Sequence, residues 1–233
     1  LLTGGDPLTM SDDRLERILS ELSSIDTVEV LRVGSRAPCT LPQRITPELC
    51  EMLSSYHPLY LNTQFNHPRE ITSEAEEACA RLAQAGIPLG NQSVLLKGIN
   101  DDAETQKTLV RELMRIRVRP YYLYQCQILS GTRHLRTPIE CGTEIVRSLQ
   151  GWTSGLAVPK FVVDTPYGKI PAGPSYMVGR RGDGVVLRSF DGRRWREPNP
   201  APECDMEAEE GVTERCALCE SCGITDCSSG GSD

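Results

Sequence analysis

The sequence predicts an α/β protein whose parallel sheet closes, or partly closes, into a barrel. Two observations carry this expectation. Segments of helical and of strand periodicity alternate in units of ~30 residues, the length of a βα repeat. Polar and glycine-containing clusters recur where the strands end, the place where such barrels hold reactive groups. With 233 residues, the chain can bury one substantial core and carry a small appendage.

The elements follow in order. Leu1–Thr3 reads as a strand that runs into Gly4-Gly5-Asp6. Ser11 caps a helix whose Leu15, Ile18, Leu19 and Leu22 fall on one face. Val28–Val33 is a strand ending at Gly34-Ser35-Arg36. A helix starts at Thr46 (Leu49, Met52, Leu53), and Leu59–Thr63 is the next strand. Thr72 opens the helix of Ala78, Leu82 and Ala83; Pro88–Leu96 holds a strand; Leu109, Val110, Leu113 and Ile116 mark another helix. Val118–Tyr124, a helix over Thr137–Leu149 and the strand Phe161–Asp164 close the series. The expected organisation is a barrel over residues 1–175, a β-rich extension over 176–200 and an acidic, Cys-rich tail over 201–233.

Composition narrows the function. Net charge is −7, with 25 Lys+Arg against 32 Asp+Glu, and no basic footprint for nucleic acid. No run reaches the ~18–20 apolar residues of a membrane span. Of ten cysteines, Cys39, Cys50, Cys79, Cys126 and Cys141 are scattered, whereas Cys204, Cys216, Cys219, Cys222 and Cys227 crowd the tail. That asymmetry suits a cytoplasmic protein with a metal-type tail rather than a secreted disulfide scaffold. Clustered thiolates suit zinc or an iron–sulfur cluster, and a disordered tail with free thiols is the plainer alternative. The abrupt apolar start without Met reads as a fragment.

The reactive candidates sit at strand ends. After Phe161–Asp164, the turn Thr165-Pro166-Tyr167-Gly168 presents Lys169 just before Ile170-Pro171. Taken alone this is a surface turn with a solvated lysine. A lysine held at a strand end can also lose its proton and form a Schiff base with an aldehyde cofactor, of which pyridoxal phosphate (PLP) is the usual one. His67 reads as part of an Asn-His-Pro turn rather than a metal ligand. Strand alternation places Tyr121 and Tyr122 on opposite faces, with at least one of them packing.

Taken together, Leu2-Thr3-Gly4-Gly5-Asp6-Pro7-Leu8, Gly34-Ser35-Arg36, Leu41–Thr46, Asn66-His67-Pro68, Pro88–Leu96, Arg119-Pro120-Tyr121-Tyr122 and the Lys169 turn resemble lysine 2,3-aminomutase and its relatives, which are radical S-adenosylmethionine (SAM) enzymes that also use PLP. The resemblance runs from Leu1 to about Pro200 and implies a partial (β/α) barrel of the radical SAM type without its first βα unit. It implies that Gly4, Gly5, Asp6 and Gln92 meet SAM, that Lys169 carries PLP, and that Tyr121 and Tyr124 line the space between cofactors and substrate. Strict alternation points those two tyrosines apart, so the carry-over requires the strand to give way to a loop near Leu123. Asp164 matches one of the two aspartates that take the ammonium of a lysine substrate, and Gln127 stands where the other would be.

The family's [4Fe–4S] motif lies upstream of Gly4, and no Cys-x3-Cys-x2-Cys occurs in this chain, so the fragment alone is expected to be inactive. The family's interfacial zinc uses C-terminal cysteines; Cys204 fits the start of that segment, but Asp102 occupies the partner cysteine's place. The expected activity is transfer of an α-amino group to the β-carbon of a free amino acid, lysine first, in a homo-oligomeric full-length protein. Arginine, ornithine, another amino acid, a protein-bound lysine, or a binding-only relative are the alternatives.

Overall fold

Five parallel strands succeed one another in chain order, β1 (Leu31–Gly34), β2 (Leu59–Thr63), β3 (Leu89–Leu95), β4 (Val118–Gln125) and β5 (Lys160–Thr165), and an antiparallel β6 (Gly168–Pro171) ends the sheet. These come from a computed structural model that describes residues 1–200. The tail with Cys204, Cys216, Cys219, Cys222 and Cys227 lies outside the described residues.

Helices fill the crossovers: α1 (Asp12–Ser23), α2 (Ala37–Thr40), α3 (Pro47–Ser54), α4 (Ser73–Gln84), α5 (Ala103–Arg115) and α6 (Ile139–Leu149). Their starts are chemically marked. Thr46, Thr72 and Asp102 each accept a hydrogen bond from the backbone N–H three residues on, satisfying a donor the helix cannot. Asp102 is therefore engaged as a cap, with its carboxyl held below the usual range chiefly by its hydrogen bonds to Thr105.

The sheet is amphipathic in a useful sense. Residues of one phase, among them Val33, Leu61, Leu89, Val118, Leu123 and Phe161, are buried with the helices in the core. The alternate phase is partly open and carries Arg32, Tyr60, Asn62, Gln92, Tyr122, Tyr124 and Asp164. Burying the first set is the main stabilising contribution, about 1.5–3 kcal/mol per large apolar side chain.

Two expectations are corrected. The second predicted strand begins at Leu31, not Val28, since Val30 is half exposed and has no pairing partner. The final predicted helix starts at Ile139 because Pro138 occupies its N-cap. Leu1–Thr3 contributes a single parallel bridge, Leu2 to Val33, at the outer edge of β1. Among the described residues the sheet stays open between β1 and β6, a curled half-barrel rather than a closed one.

Residues beyond β6 form a separate antiparallel sheet, β7 (Met177–Arg181), β8 (Gly184–Arg188) and β9 (Arg194–Pro198). Its Val185 and Leu187 pack against Phe161, Val163 and Ile170, so it backs the end of the parallel sheet. There α6 approaches β5 closely. A Cβ on Gly142 would stand 2.3–2.6 Å from three ring carbons of Phe161, so only glycine permits that contact.

Candidate functional site

The Gly-Gly-Asp segment is latched onto the end of β1. Asp6 Oδ1 accepts from Ser35 Oγ at 2.6 Å and from Leu8 N at 3.0 Å, and Oδ2 accepts from Arg36 N at 2.7 Å. The Asp6 carboxylate thus holds the loop in place. The backbone of Gly4 and Gly5 is left open, since a Cβ at either would meet nothing within 4 Å, and Gly4 has φ +125°. A positive φ of this kind is one that glycine adopts without strain.

A second constellation gathers at the other side of the open face. Asp164 and Lys169 are directly paired across the β5–β6 hairpin, whose turn is only Pro166-Tyr167 between the paired Thr165 and Gly168. Thr165 pins that turn: its Oγ1 accepts from Tyr167 N at 3.1 Å and donates to Gly168 O at 2.7 Å. Lys169 is exposed, with its Nζ 5.9 Å from the centre of the Tyr124 ring. Gln127 Nε2 donates to Asp164 Oδ2 at 2.8 Å.

The tyrosines depart from simple alternation. The β3–β4 register pairs Asn91 with Pro120 but Gln92 with Tyr122, so Tyr121 is an extra residue, a β-bulge. The bulge brings Tyr121 beside Tyr122, with ring centres 3.9 Å apart and hydroxyls 3.1 Å apart. Tyr122 in turn meets Tyr124 edge-on at 5.6 Å. The expected opposition of Tyr121 and Tyr122 is therefore wrong. So is the required loop near Leu123, because the strand runs on to Gln125. Gly90 makes room beside them; a Cβ there would strike Asn62 Oδ1 at 2.4 Å and touch Tyr121 Cβ at 3.5 Å.

Hydrogen bonding, burial and a neighbouring charge keep Tyr122 and Tyr124 neutral. The hydrogen bond with Tyr121, then burial, pushes Tyr122 up to about 12. Burial, then the nearby Asp164 carboxylate, drives Tyr124 well above the ordinary phenol value. Both remain donors at physiological pH. For Tyr122, the unfolded chain ionises near 10.0 and the folded group near about 12. Its contribution to stability is complete below pH 10 and is lost as pH rises through that window. Denaturant titrations at alkaline pH should therefore show a shallower loss of stability in Tyr122→Phe than in the unsubstituted protein; identical slopes would place the Tyr121–Tyr122 bond outside the folded ensemble.

Other sequence expectations resolve as follows. Gln92 lies on the open face, in register with Tyr122. His67 caps the short turn Pro68–Glu70, its Nδ1 accepting from Arg69 N at 3.1 Å, as the Asn-His-Pro turn predicts. The five described cysteines are free thiols. Burial pushes Cys79 up to about 12 and Cys39 and Cys141 up to about 11. Among the described residues no group of three or more His, Cys, Asp or Glu could hold a metal, and no helix is long and apolar enough to cross a membrane.

Along the hydrogen-bonding direction, the latch at β1 and Lys169 on β6 are separated by five strand steps of about 4.8 Å. The open face of this α/β half-barrel thus carries a glycine loop at its β1 end and a cluster of lysine, carboxylate and phenols at its β6 end. Comparison with known proteins gives the particular family. A family model described as lysine-2,3-aminomutase matches residues 146–227. The chain is 56% identical over 194 residues to the L-lysine 2,3-aminomutase of Fusobacterium nucleatum, covering 82% of this chain and 46% of that one. It is 53% identical over 216 residues to the L-lysine 2,3-aminomutase of Clostridium subterminale (91% and 52%). It is 51% identical over 195 residues to the glutamate 2,3-aminomutase of Clostridioides difficile (83% and 46%). The chain belongs to the lysine 2,3-aminomutase family. It spans about half the length of the curated relatives it matches.

Proposed function

We propose that the full-length protein is a radical SAM, PLP-dependent 2,3-aminomutase acting on a free basic amino acid, L-lysine first. The observation that carries this reading is the grouping of Lys169, Tyr124, Gln127 and Asp164 on one open face. PLP, when bound, supplies electron delocalisation at the migrating nitrogen, and SAM supplies the radical. A barrel over residues 1–175 carries the site, and residues 176–200 form a β-rich extension.

The chain's own residues have separable tasks. Lys169 anchors PLP from a turn too tight to wander. Gly4 and Gly5 offer peptide groups to the methionine part of SAM, and Gln92 faces the same space. Tyr121, Tyr122 and Tyr124 wall the intervening region with apolar rings, which helps exclude water from a radical. At the far end, Gln127 uses one N–H on Asp164 Oδ2. Among the described residues, Asp164 Oδ1 and Gln127 Oε1 accept no hydrogen bond, so two acceptors and one negative charge remain for a substrate ammonium. A distal carboxylate, as in glutamate, would be repelled by Asp164.

Steady-state kinetics of the full-length protein test this. Asp164→Asn should lower kcat/KM for lysine by roughly 10- to 100-fold, the scale of one charge-assisted bond. Gln127→Asp, which adds a second carboxylate, should shift preference further toward lysine. Equal kcat/KM for lysine in Asp164→Asn and the unsubstituted protein would put Asp164 outside the pocket.

A further inference from the structure

The small sheet beyond β6 is not part of the barrel, yet one of its strands touches both segments that bear the site. Glu197 on β9 is only 6% exposed, and Arg136 is 5% exposed. Glu197 Oε1 accepts from Arg136 Nη2 at 2.5 Å, and its Oε2 accepts from Trp195 Nε1 at 2.8 Å. Arg136 completes its fork with Nε to Cys126 O at 2.8 Å and Nη1 to Pro198 O at 3.0 Å. Cys126 immediately precedes Gln127. On the other side, the Trp195 indole meets Tyr167 edge-on at 6.3 Å and 87°. Tyr167 lies in the turn that presents Lys169, and its opposite partner is Arg193, 4.4 Å from the ring centre.

The contacts close a circuit. Asp164 is held by Gln127, whose neighbour Cys126 is held by Arg136, then Glu197, Trp195 and Tyr167, and the hairpin returns to Asp164. We infer that Glu197 is a positioning residue: through Arg136 it sets where the Gln127 amide stands against Asp164, and through Trp195 it steadies the Lys169 turn. This rests on the reading of Gln127 and Asp164 as the substrate's distal subsite. A carboxylate suits the task because its two oxygens serve two donors in different directions. Removing it would also leave the Arg136 charge buried and unpaired. An ordinary packing role does not require such a fork to end on the carbonyl next to a site residue.

The experiment is a double-substitution cycle in the PLP-loaded full-length protein. The dissociation constant of L-lysine is measured by calorimetry without SAM, and thermal unfolding is followed alongside. Glu197→Gln should weaken lysine binding about 10-fold in the unsubstituted background and less than about 2-fold when Gln127 is already Ala, because the effect travels through Gln127. Should Glu197→Gln fail to fold, Trp195→Phe decides. It removes the indole N–H that holds Glu197 while leaving a smaller aromatic ring beside Tyr167, and should weaken binding about 3-fold, again with the effect vanishing in the Gln127→Ala background. Additive effects, or a lowered unfolding temperature with lysine affinity unchanged, overturn the inference. The pocket reading survives those outcomes provided that Asp164→Asn still weakens lysine binding. No binding of lysine by the unsubstituted protein overturns both.

Discussion

Lys169→Ala is expected to abolish the visible absorbance of bound PLP in the reconstituted full-length protein and to lower turnover by at least about 10³-fold, the low end of what loss of a covalent catalytic group costs. The reason is positional as well as chemical. Lys169 sits opposite Asp164 in a hairpin whose turn is two residues long, so no neighbouring amine can take its place without shifting the register. Lys160, on the same strand as Asp164 but at its far end, is the other lysine of this hairpin. Borohydride reduction followed by peptide mapping checks the assignment. An adduct that persists on another lysine in Lys169→Ala would remove this residue from the cofactor site.

The second large effect is structural. Gly142→Ala should destabilise the protein by about 1–3 kcal/mol, although alanine is the better helix former by about 1 kcal/mol. The added methyl has nowhere to go, because the Phe161 ring already fills its position and is itself 4% exposed. Either α6 moves outward or β5 does, and β5 carries Asp164. Pairing the change with Phe161→Leu should recover a good part of the loss by clearing the ring. Chemical denaturation of the four proteins in this cycle measures it, and a neutral Gly142→Ala would show that α6 does not approach β5 so closely in solution.

Much of the architecture is legible in the sequence because each element states its own period and punctuation. Leu15, Ile18, Leu19 and Leu22 mark α1, Thr72 caps α4, and the run Phe161–Asp164 could only be a buried strand. The strand-end rule likewise picks out the segments of Asp6, Gln127, Asp164 and Lys169, which the structure places beside strand ends, whereas Gln92 lies within β3. What sequence reasoning misses is the bulge, and with it the place of Tyr122. Alternation is a rule for unbroken strands, and one inserted residue reverses it. The sign was present in Pro120, which has no N–H for a ladder and sits inside what is otherwise a central strand; such prolines mark bulges. Arg136 and Glu197 were also missed, for a different reason. They are 61 positions apart, and nothing local in either segment announces the partner.

The direct pairing of Asp164 with Lys169 has a consequence for how substrate preference can change over time. If Lys169 fixes one end of a bound amino acid and Asp164 reads the other, a single hairpin is a ruler whose two marks are locked together by backbone hydrogen bonds. Lengthening or shortening that ruler by one residue would turn one mark to the wrong face of the sheet, so drift along β5 and β6 is penalised. Gln127 is under no such constraint. It hangs just past the end of β4, joined to Asp164 by one side-chain bond, and can be exchanged without disturbing any strand. If the hairpin is such a ruler, the segment after β4 is where preference can be altered at least structural cost, and residue 127 is the natural dial.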